Sequence, residues 1–203
     1  RKFFSRRTAG RLIGALFLML VLNGCYFPLK FDVEIEVNRQ GYYKITFDGY
    51  VVYLPLYQGL KEGKINPTEE AKKVEYVKTD ITRDSSTKEF GYVQKGRFKV
   101  HWVKEGDITR QKMVTFMRRN AAFLTIQYSK KRYQIEVLGT ALSSAQKGRL
   151  REIGLDMVGE IRVKTDAKVV SHNATQKGTA TKFYVWKING MNKPSPKMVL
   201  SLI

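Results

Sequence analysis

A basic head followed by an uninterrupted apolar run opens this sequence and constrains the rest of it more than any other feature. Five of the first eleven residues are basic, and no acidic residue precedes residue 25. The run from Leu12 to Leu22 contains no polar side chain. A basic head before a short apolar run is typical of an export signal, and a conventional membrane span needs roughly 20 residues. The pattern predicts that the chain beyond this segment works outside the cytoplasm.

The apolar run ends in Leu22-Asn23-Gly24-Cys25. An aliphatic residue at minus three and a small residue at minus one before a cysteine resemble the lipobox of bacterial lipoprotein signals. That resemblance implies that Cys25 is lipidated on its sulfur and becomes the new N-terminus. The predicted location is the bacterial cell envelope, with the chain anchored in a membrane and its domain on the periplasmic or extracytoplasmic side.

A second interpretation keeps the same segment as a transmembrane anchor. Extended through Tyr26 and Phe27, the run reaches 16 residues from Leu12, enough for a helix that tilts or thins the bilayer locally. On either interpretation the basic head stays in the cytoplasm. The residues predicted to lie in the membrane are Leu12, Ile13, Leu16, Phe17, Leu18, Leu20, Val21 and Leu22.

Charge and cysteine content narrow the partners of the exported part. Cys25 is the only cysteine, so the chain has neither a disulfide nor a cysteine-based metal site. Residues 26–203 have the length of one domain. Five units of the net charge of +19 belong to the head, which leaves +14 on those residues. Outside the cytoplasm this charge predicts binding to an anionic lipid surface or to a larger membrane protein complex, and not to nucleic acid.

No group of residues in the sequence indicates catalysis. The two histidines, His101 and His172, have no cysteine or carboxylate at a metal-ligand spacing. Ser171 and His172 are adjacent on a predicted strand, so they point to opposite faces. A G-x-S-x-G motif, a phosphate-binding loop and a dinucleotide fingerprint are all missing from the sequence. We therefore predict a protein that is not an enzyme and that carries no cofactor and no metal.

Hydrophobic periodicity predicts an α+β domain, rich in strand, in which an antiparallel sheet carries two or three helices. Residues 32–37 alternate between acidic and apolar side chains, and a second strand is predicted from Tyr42 to Leu56. Asn66, Pro67 and Glu69 predict the start of a helix. Further helices are predicted over 107–119 and from Ser143 or Ser144 to Gly154. The remaining predicted strands cover 88–94, 97–104, 122–128, 133–138, 159–164, 167–172, 181–188 and 197–203.

Two surface regions are predicted from local composition. The segment YVVYLPLY is apolar on both faces, and Pro55 within it indicates a sheet edge, so one face needs a partner other than solvent. Its predicted contact residues are Tyr50, Tyr53, Leu54, Leu56 and Tyr57. The tip of a predicted hairpin concentrates positive charge, and its predicted contacts with phosphates or lipid headgroups are Lys130, Lys131 and Arg132.

The C-terminal third resembles a known family. The segments that carry the resemblance are Gly159 to Val163, Thr165 to Val170, His172-Asn173-Ala174, and Tyr184 to Ile188. They are similar to the LppM-type domain of membrane-anchored bacterial lipoproteins, and the similarity extends diffusely over residues 26–203. It implies a β-rich exported domain with helices on one side and a role in binding lipids or envelope partners.

Two classes of function remain open. The first is a structural accessory subunit of a membrane protein complex on the extracytoplasmic side. The second is a module whose two-sided apolar strands enclose a lipid or another hydrophobic ligand. A strand of ordinary core explains the same apolar residues equally well.

Overall fold

Strands make up most of the described secondary structure. The computed structural model describes residues 26–117, 123–177 and 183–203. The described strands are β1 (Tyr26–Val37), β2 (Tyr42–Tyr53), β3 (Thr87–Gln94), β4 (Arg97–Asp107), β5 (Met113–Phe116), β6 (Leu124–Ser129), β7 (Gln134–Gly139), β8 (Val158–Thr165), β9 (Lys168–His172), β10 (Gln176–Lys177), β11 (Phe183–Asn189) and β12 (Lys197–Ser201). The described helices are α1 (Leu54–Lys61), α2 (Pro67–Thr82), α3 (Ile108–Gln111) and α4 (Ser144–Glu152). The predicted α+β class, rich in strand, is confirmed.

The strands form two sheets. Sheet A has seven strands in the order β10-β11-β8-β1-β2-β4-β3, and sheet B has five in the order β5-β6-β7-β12-β9. Neighbouring strands are antiparallel except for β1 and β8, which run parallel. The sequence predicted one antiparallel sheet. The structure has two sheets, and one pair of neighbouring strands in sheet A is parallel. The alternation of side chains determines which face of a strand is buried. It does not determine which strand pairs with it, or whether the pair is parallel or antiparallel.

Aromatic side chains join the two sheets face to face. Phe47 on β2 stacks on Phe116 of β5 with ring centroids 4.2 Å apart, and Phe31 on β1 meets Phe123 at 4.9 Å. Helix α2 adds Val77 and Ile81 to the same buried cluster. Because residues from both sheets and from α2 share one core, the described part of the chain packs around a single hydrophobic interior.

Local signals placed two helices correctly. Helix α2 begins at Pro67, and the Asn66 side chain accepts a hydrogen bond from the Glu69 backbone N–H at 3.0 Å. The Glu69 carboxylate accepts one from the Asn66 N–H at 3.0 Å, which completes a capping box. Ser143 and Gln146 form the same pair at the start of α4.

The strand predicted from Tyr42 to Leu56 is shorter than expected. Strand β2 ends at Tyr53, and the chain turns at once into helix α1. Pro55 lies in the first turn of that helix, where its missing N–H costs nothing, and not at a sheet edge. The apolar run of Leu54 and Leu56 is therefore the buried side of a helix.

One further expectation was wrong. The helix expected over 107–119 is the single turn of α3, which the extended strand β5 follows. The stretch from Phe27 to Lys30 belongs to β1, which already pairs with β2 at Tyr26.

The predicted anchor and its acceptor Cys25 lie outside the described residues. Within the described ranges, every helix is too short or too polar to cross a bilayer.

Candidate membrane-facing surface

Tyrosines gather at the end of sheet A where β1 begins, which we call the proximal end. Tyr26, the first residue after Cys25, lies 5.3 Å from Tyr53 between ring centroids. Tyr53 is the cross-strand partner of Tyr26, and its ring lies 6.2 Å from that of Tyr76 on α2. The Tyr26 hydroxyl donates to Asp80 at 2.9 Å and so fixes the start of β1 against α2. Three aromatic rings therefore form a cluster where the chain enters the domain.

Two more tyrosines lie at this end of the molecule, Tyr57 on α1 and Tyr50 on β2. Tyr57 on α1 donates to the Ile153 carbonyl at 3.1 Å, and the Arg97 guanidinium lies 5.9 Å from its ring centroid. Tyr50 remains 37% exposed, with the Lys99 ammonium 5.3 Å from its ring centroid. A cation over an aromatic face is attracted by the ring quadrupole. The proximal end thus combines amphipathic rings with positive charge.

A glycine allows α1 to pack against the turn between β3 and β4. Gly96 has φ +71°, and a Cβ there would lie 2.7 Å from the Tyr57 nitrogen. Any other residue at position 96 would push α1 away and carry Tyr57 with it. The close approach also lets the Tyr53 N–H donate to the Gly96 carbonyl at 2.9 Å.

Several basic residues lie on the elements at this end of the molecule. None of those named below forms an ion pair with a described residue. The unpaired basic residues of the proximal end are Lys30, Lys61, Lys95, Arg97, Lys147, Arg149 and Arg151. Some of them line an open groove of about 360 Å³ whose walls are Leu29, Lys30, Tyr50, Val93, Gln94 and Arg97. Apolar walls with two cations suit an amphipathic surface that carries negative charge.

The middle of sheet A's outer face, by contrast, holds carboxylates paired to one arginine. Arg162 on β8 reaches Asp32 at 2.6 Å, Glu160 at 3.1 Å and Glu34 at 3.5 Å. Hydrogen bonds to Asp32 raise the pKa of Arg162. The acidic residues of β1 are thus an ion-paired, solvated face, and among the described residues no group of three or more metal-ligating side chains could hold an ion.

A second ion-paired group lies on β2 and β4. Asp48 pairs with Lys99, and the His101 Nδ1 atom lies 3.2 Å from the same carboxylate. The hydrogen bond from Lys99 holds the pKa of Asp48 below its ordinary value. Neither group has a nucleophile beside a base, so neither is arranged for catalysis.

The predicted contact segment divides between surface and core. Tyr50, Tyr53 and Tyr57 belong to the proximal end, as described above. Leu54 and Leu56 are buried, and Leu56 is 0% exposed. Their prediction as contact residues is wrong, because the turn from β2 into α1 directs both leucines inward.

The basic hairpin tip lies at the other end of the molecule. The turn between β6 and β7 contains Lys130, Lys131 and Arg132, and it lies near Gly41, beyond the far end of β1. Strand β1 has 12 residues, so at about 3.3 Å per residue its two ends lie about 36 Å apart. A bilayer at residue 25 would therefore be out of reach of this tip in an upright domain.

Sequence reasoning missed the cations that do lie beside the entry point. Lys30, Arg97 and the basic residues of α4 are far apart in the chain, so their sequence positions did not show that they lie at one end of the molecule. The positive φ at Lys95 and Gly96 marks a tight turn there. The Lys95-Gly96 pair could have indicated the turn from sequence. It could not have indicated that the turn packs against α1.

A cleft of about 230 Å³ lies near Met157, Ile188 and Met191, between residues of the two sheets. Ligand pockets usually measure about 300–1,000 Å³. Binding of a lipid or another hydrophobic ligand, the second class of function, stays a prediction.

The chain matches no protein-family model and no curated protein. Among solved structures it is similar to the NMR structure of the folded domain of LppM from Mycobacterium tuberculosis, with a TM-score of 0.43 and 10% sequence identity. The match covers 85% of this chain and 89% of that one. This is a distant structural relationship, and the finer assignment to an LppM-type family stays a prediction.

Proposed function

We propose that this chain is a non-catalytic envelope protein whose proximal end rests on an anionic membrane surface and which serves there as an accessory subunit of a membrane protein complex. The observation that carries the proposal is the clustering of tyrosines and unpaired cations at the point where the chain enters the domain. Tyr26 follows the predicted lipid acceptor Cys25 directly, so an anchor at that residue would bring this end to the bilayer.

The two residue types at the proximal end suit the two layers of a membrane interface. Tyrosine carries an apolar ring and a polar hydroxyl, and it is enriched at the headgroup level of bilayers. Lysine and arginine near an anionic leaflet each contribute about 1 kcal/mol. Together they favour an orientation in which β1 stands away from the membrane.

Such an orientation presents the remaining surface to other proteins. The ion-paired outer face of sheet A and the loops at its far end would stand up to about 36 Å above the lipid, from the length of β1. We assign the domain a role in positioning or binding.

The test is vesicle flotation of the 26–203 fragment, which contains the whole described core. We expect it to bind vesicles that contain phosphatidylglycerol and to dissociate as salt is raised, since exposed charges are screened over about 8–10 Å in ordinary salt. Replacing Lys30 and Lys61 together with glutamate should weaken binding by about 2 kcal/mol or more.

The matched control replaces Lys130 and Lys131 with glutamate, an equal change of charge at the opposite end. Binding should survive this change. Equal losses in both variants would show that the orientation is wrong, and binding that ignores salt would refute the electrostatic account.

A further inference from the structure

Three loops meet at the end of the molecule opposite to Tyr26. We call residues 38–41, 108–112 and 129–133 the distal loops. The Ile108 N–H donates to the Gly41 carbonyl at 2.9 Å, and the Tyr128 N–H donates to the Lys112 carbonyl at 2.9 Å. The Leu202 N–H donates to the Tyr133 carbonyl at 3.0 Å, and Leu202 also approaches Gly41. Backbone hydrogen bonds therefore hold the loops in one connected surface.

Arginines neutralise the carboxylates of this surface. Arg39 binds Asp166 at 3.1 Å. Arg110 binds Asp107 at 3.3 Å. Arg132 binds Glu136 at 3.0 Å. Each of these pairs leaves no net charge.

The lysines of the distal loops remain uncompensated. Lys112, Lys130 and Lys131 are exposed, and none forms an ion pair with a described residue. The surface therefore has a surplus of positive charge that its own acidic residues do not offset.

Large apolar side chains stand among these lysines. Tyr42 is 58% exposed, Tyr133 is 50% exposed and Met113 is 42% exposed. Tyr42 forms one wall of a groove of about 430 Å³ whose charged residues are Lys44, Lys164, Glu36 and the Arg39-paired Asp166, so the positive surplus is carried by the lysines of the loops and not by this groove. Exposed tyrosine and methionine are enriched at protein interfaces.

We propose that the distal loops bind an acidic surface of a partner protein. The inference rests on the proposed function, because a membrane bound at the proximal end would leave the distal loops accessible to a partner protein. Uncompensated lysines select negative charge and steer association. The exposed aromatic rings favour a folded or peptidic partner over a plain polyanion, since rings gain affinity by fitting into apolar pockets.

The test places a photo-reactive benzoyl-phenylalanine at Tyr42 of the full-length chain in cells that produce it. We expect one protein product, cross-linked within a segment that contains aspartate or glutamate, as located by mass spectrometry. The control places the same group at Val93, which is exposed at the proximal end. It should not give that product.

Charge-reversal substitutions then test whether the lysines of the distal loops select the partner. Lys130→Glu with Lys131→Glu should lower the yield of the Tyr42 product about tenfold or more. Lys112→Glu, on another distal loop, should lower it in the same direction. Lys72→Glu, at an exposed position on α2 outside the distal loops and outside the basic residues named at the proximal end, should leave the yield unchanged.

Each alternative product overturns the inference. A cross-link to a glycan, to phospholipid or to a second copy of this chain would do so, as would the absence of any product. An unchanged yield in both distal variants, with unchanged melting temperatures, would show that charge does not select the partner. If the cross-linking test fails while vesicle binding is normal, the proposed membrane orientation stands. If the proximal and distal charge variants lose vesicle binding equally, that orientation is refuted independently of the cross-linking result.

Discussion

Leu56 and Tyr50 lie close in sequence and have opposite environments. Leu56 on α1 is fully buried in the core, whereas Tyr50 on β2 projects to the proximal surface. Leu56→Lys should therefore destabilise the domain by several kcal/mol, because it buries an unpaired charge. Tyr50→Lys should change the free energy of unfolding by under about 0.5 kcal/mol, as expected of a surface position. Urea denaturation of the 26–203 fragment measures both.

Equal effects of the two substitutions would contradict the assignment of α1. If Leu56→Lys left the stability intact, residue 56 would belong to an exposed strand, as the sequence pattern predicted. If Tyr50→Lys unfolded the domain, the tyrosines of the proximal end would be core residues and not a surface.

At the scale of elements, one side chain after β9 links the two sheets. The Asn173 Oδ1 atom accepts from the Trp186 Nε1–H of sheet A at 2.8 Å and from the Lys197 N–H of sheet B at 2.7 Å. Its Nδ2 atom donates to the Ser195 carbonyl at 2.9 Å. The Asn173 side chain thus connects sheet A to sheet B.

Asn173→Ala should destabilise the domain by about 1–3 kcal/mol, because the buried Trp186 N–H loses its acceptor. The loss should be visible in denaturant melts and in tryptophan fluorescence. Asn173→Asp is the matched control, since it keeps the acceptor and loses only the bond to Ser195. A melt of the alanine variant identical to the parent's would show that the bridge between the sheets contributes nothing.

At the scale of the whole molecule, strand β1 bears on how the chain is anchored. A transmembrane helix that used Tyr26 and Phe27 would need those residues in helical conformation. Both lie in β1, paired with Tyr53 and Val52, and Phe27 is buried. The apolar run before Cys25 is then shorter than a conventional span of roughly 20 residues. A retained anchor would therefore have to end before Tyr26, and the lipobox interpretation stays a prediction.

We therefore predict that the mature chain begins at a lipidated Cys25. Cys25→Ser should block lipid attachment and leave residues 1–24 in place. Intact-mass measurement of membrane-extracted protein tests this directly. A wild-type mass that still includes residues 1–24 and carries no lipid would contradict the prediction and restore the anchor interpretation.

Local sequence determined much of the secondary structure. Alternation predicted β1 over residues 32–37, since period-two burial is a property of the strand itself. The capping signal at Asn66 predicted the start of α2, because a cap involves only residues three apart. The net positive charge of residues 26–203 likewise follows from the sequence, through the numbers of basic and acidic residues.

Tertiary structure determined which elements pack or pair with one another. The apolar run of Leu54 and Leu56 fits a strand or a helix, and only packing against the core selected α1. The parallel pairing of β1 with β8 joins residues that lie more than a hundred positions apart in the chain, and no local pattern specifies it. The separation of the proximal tyrosines from the tip at Lys130 likewise follows from sheet topology. A short chain segment encodes its own periodicity and caps, but its neighbours in space are chosen by the burial of the whole chain.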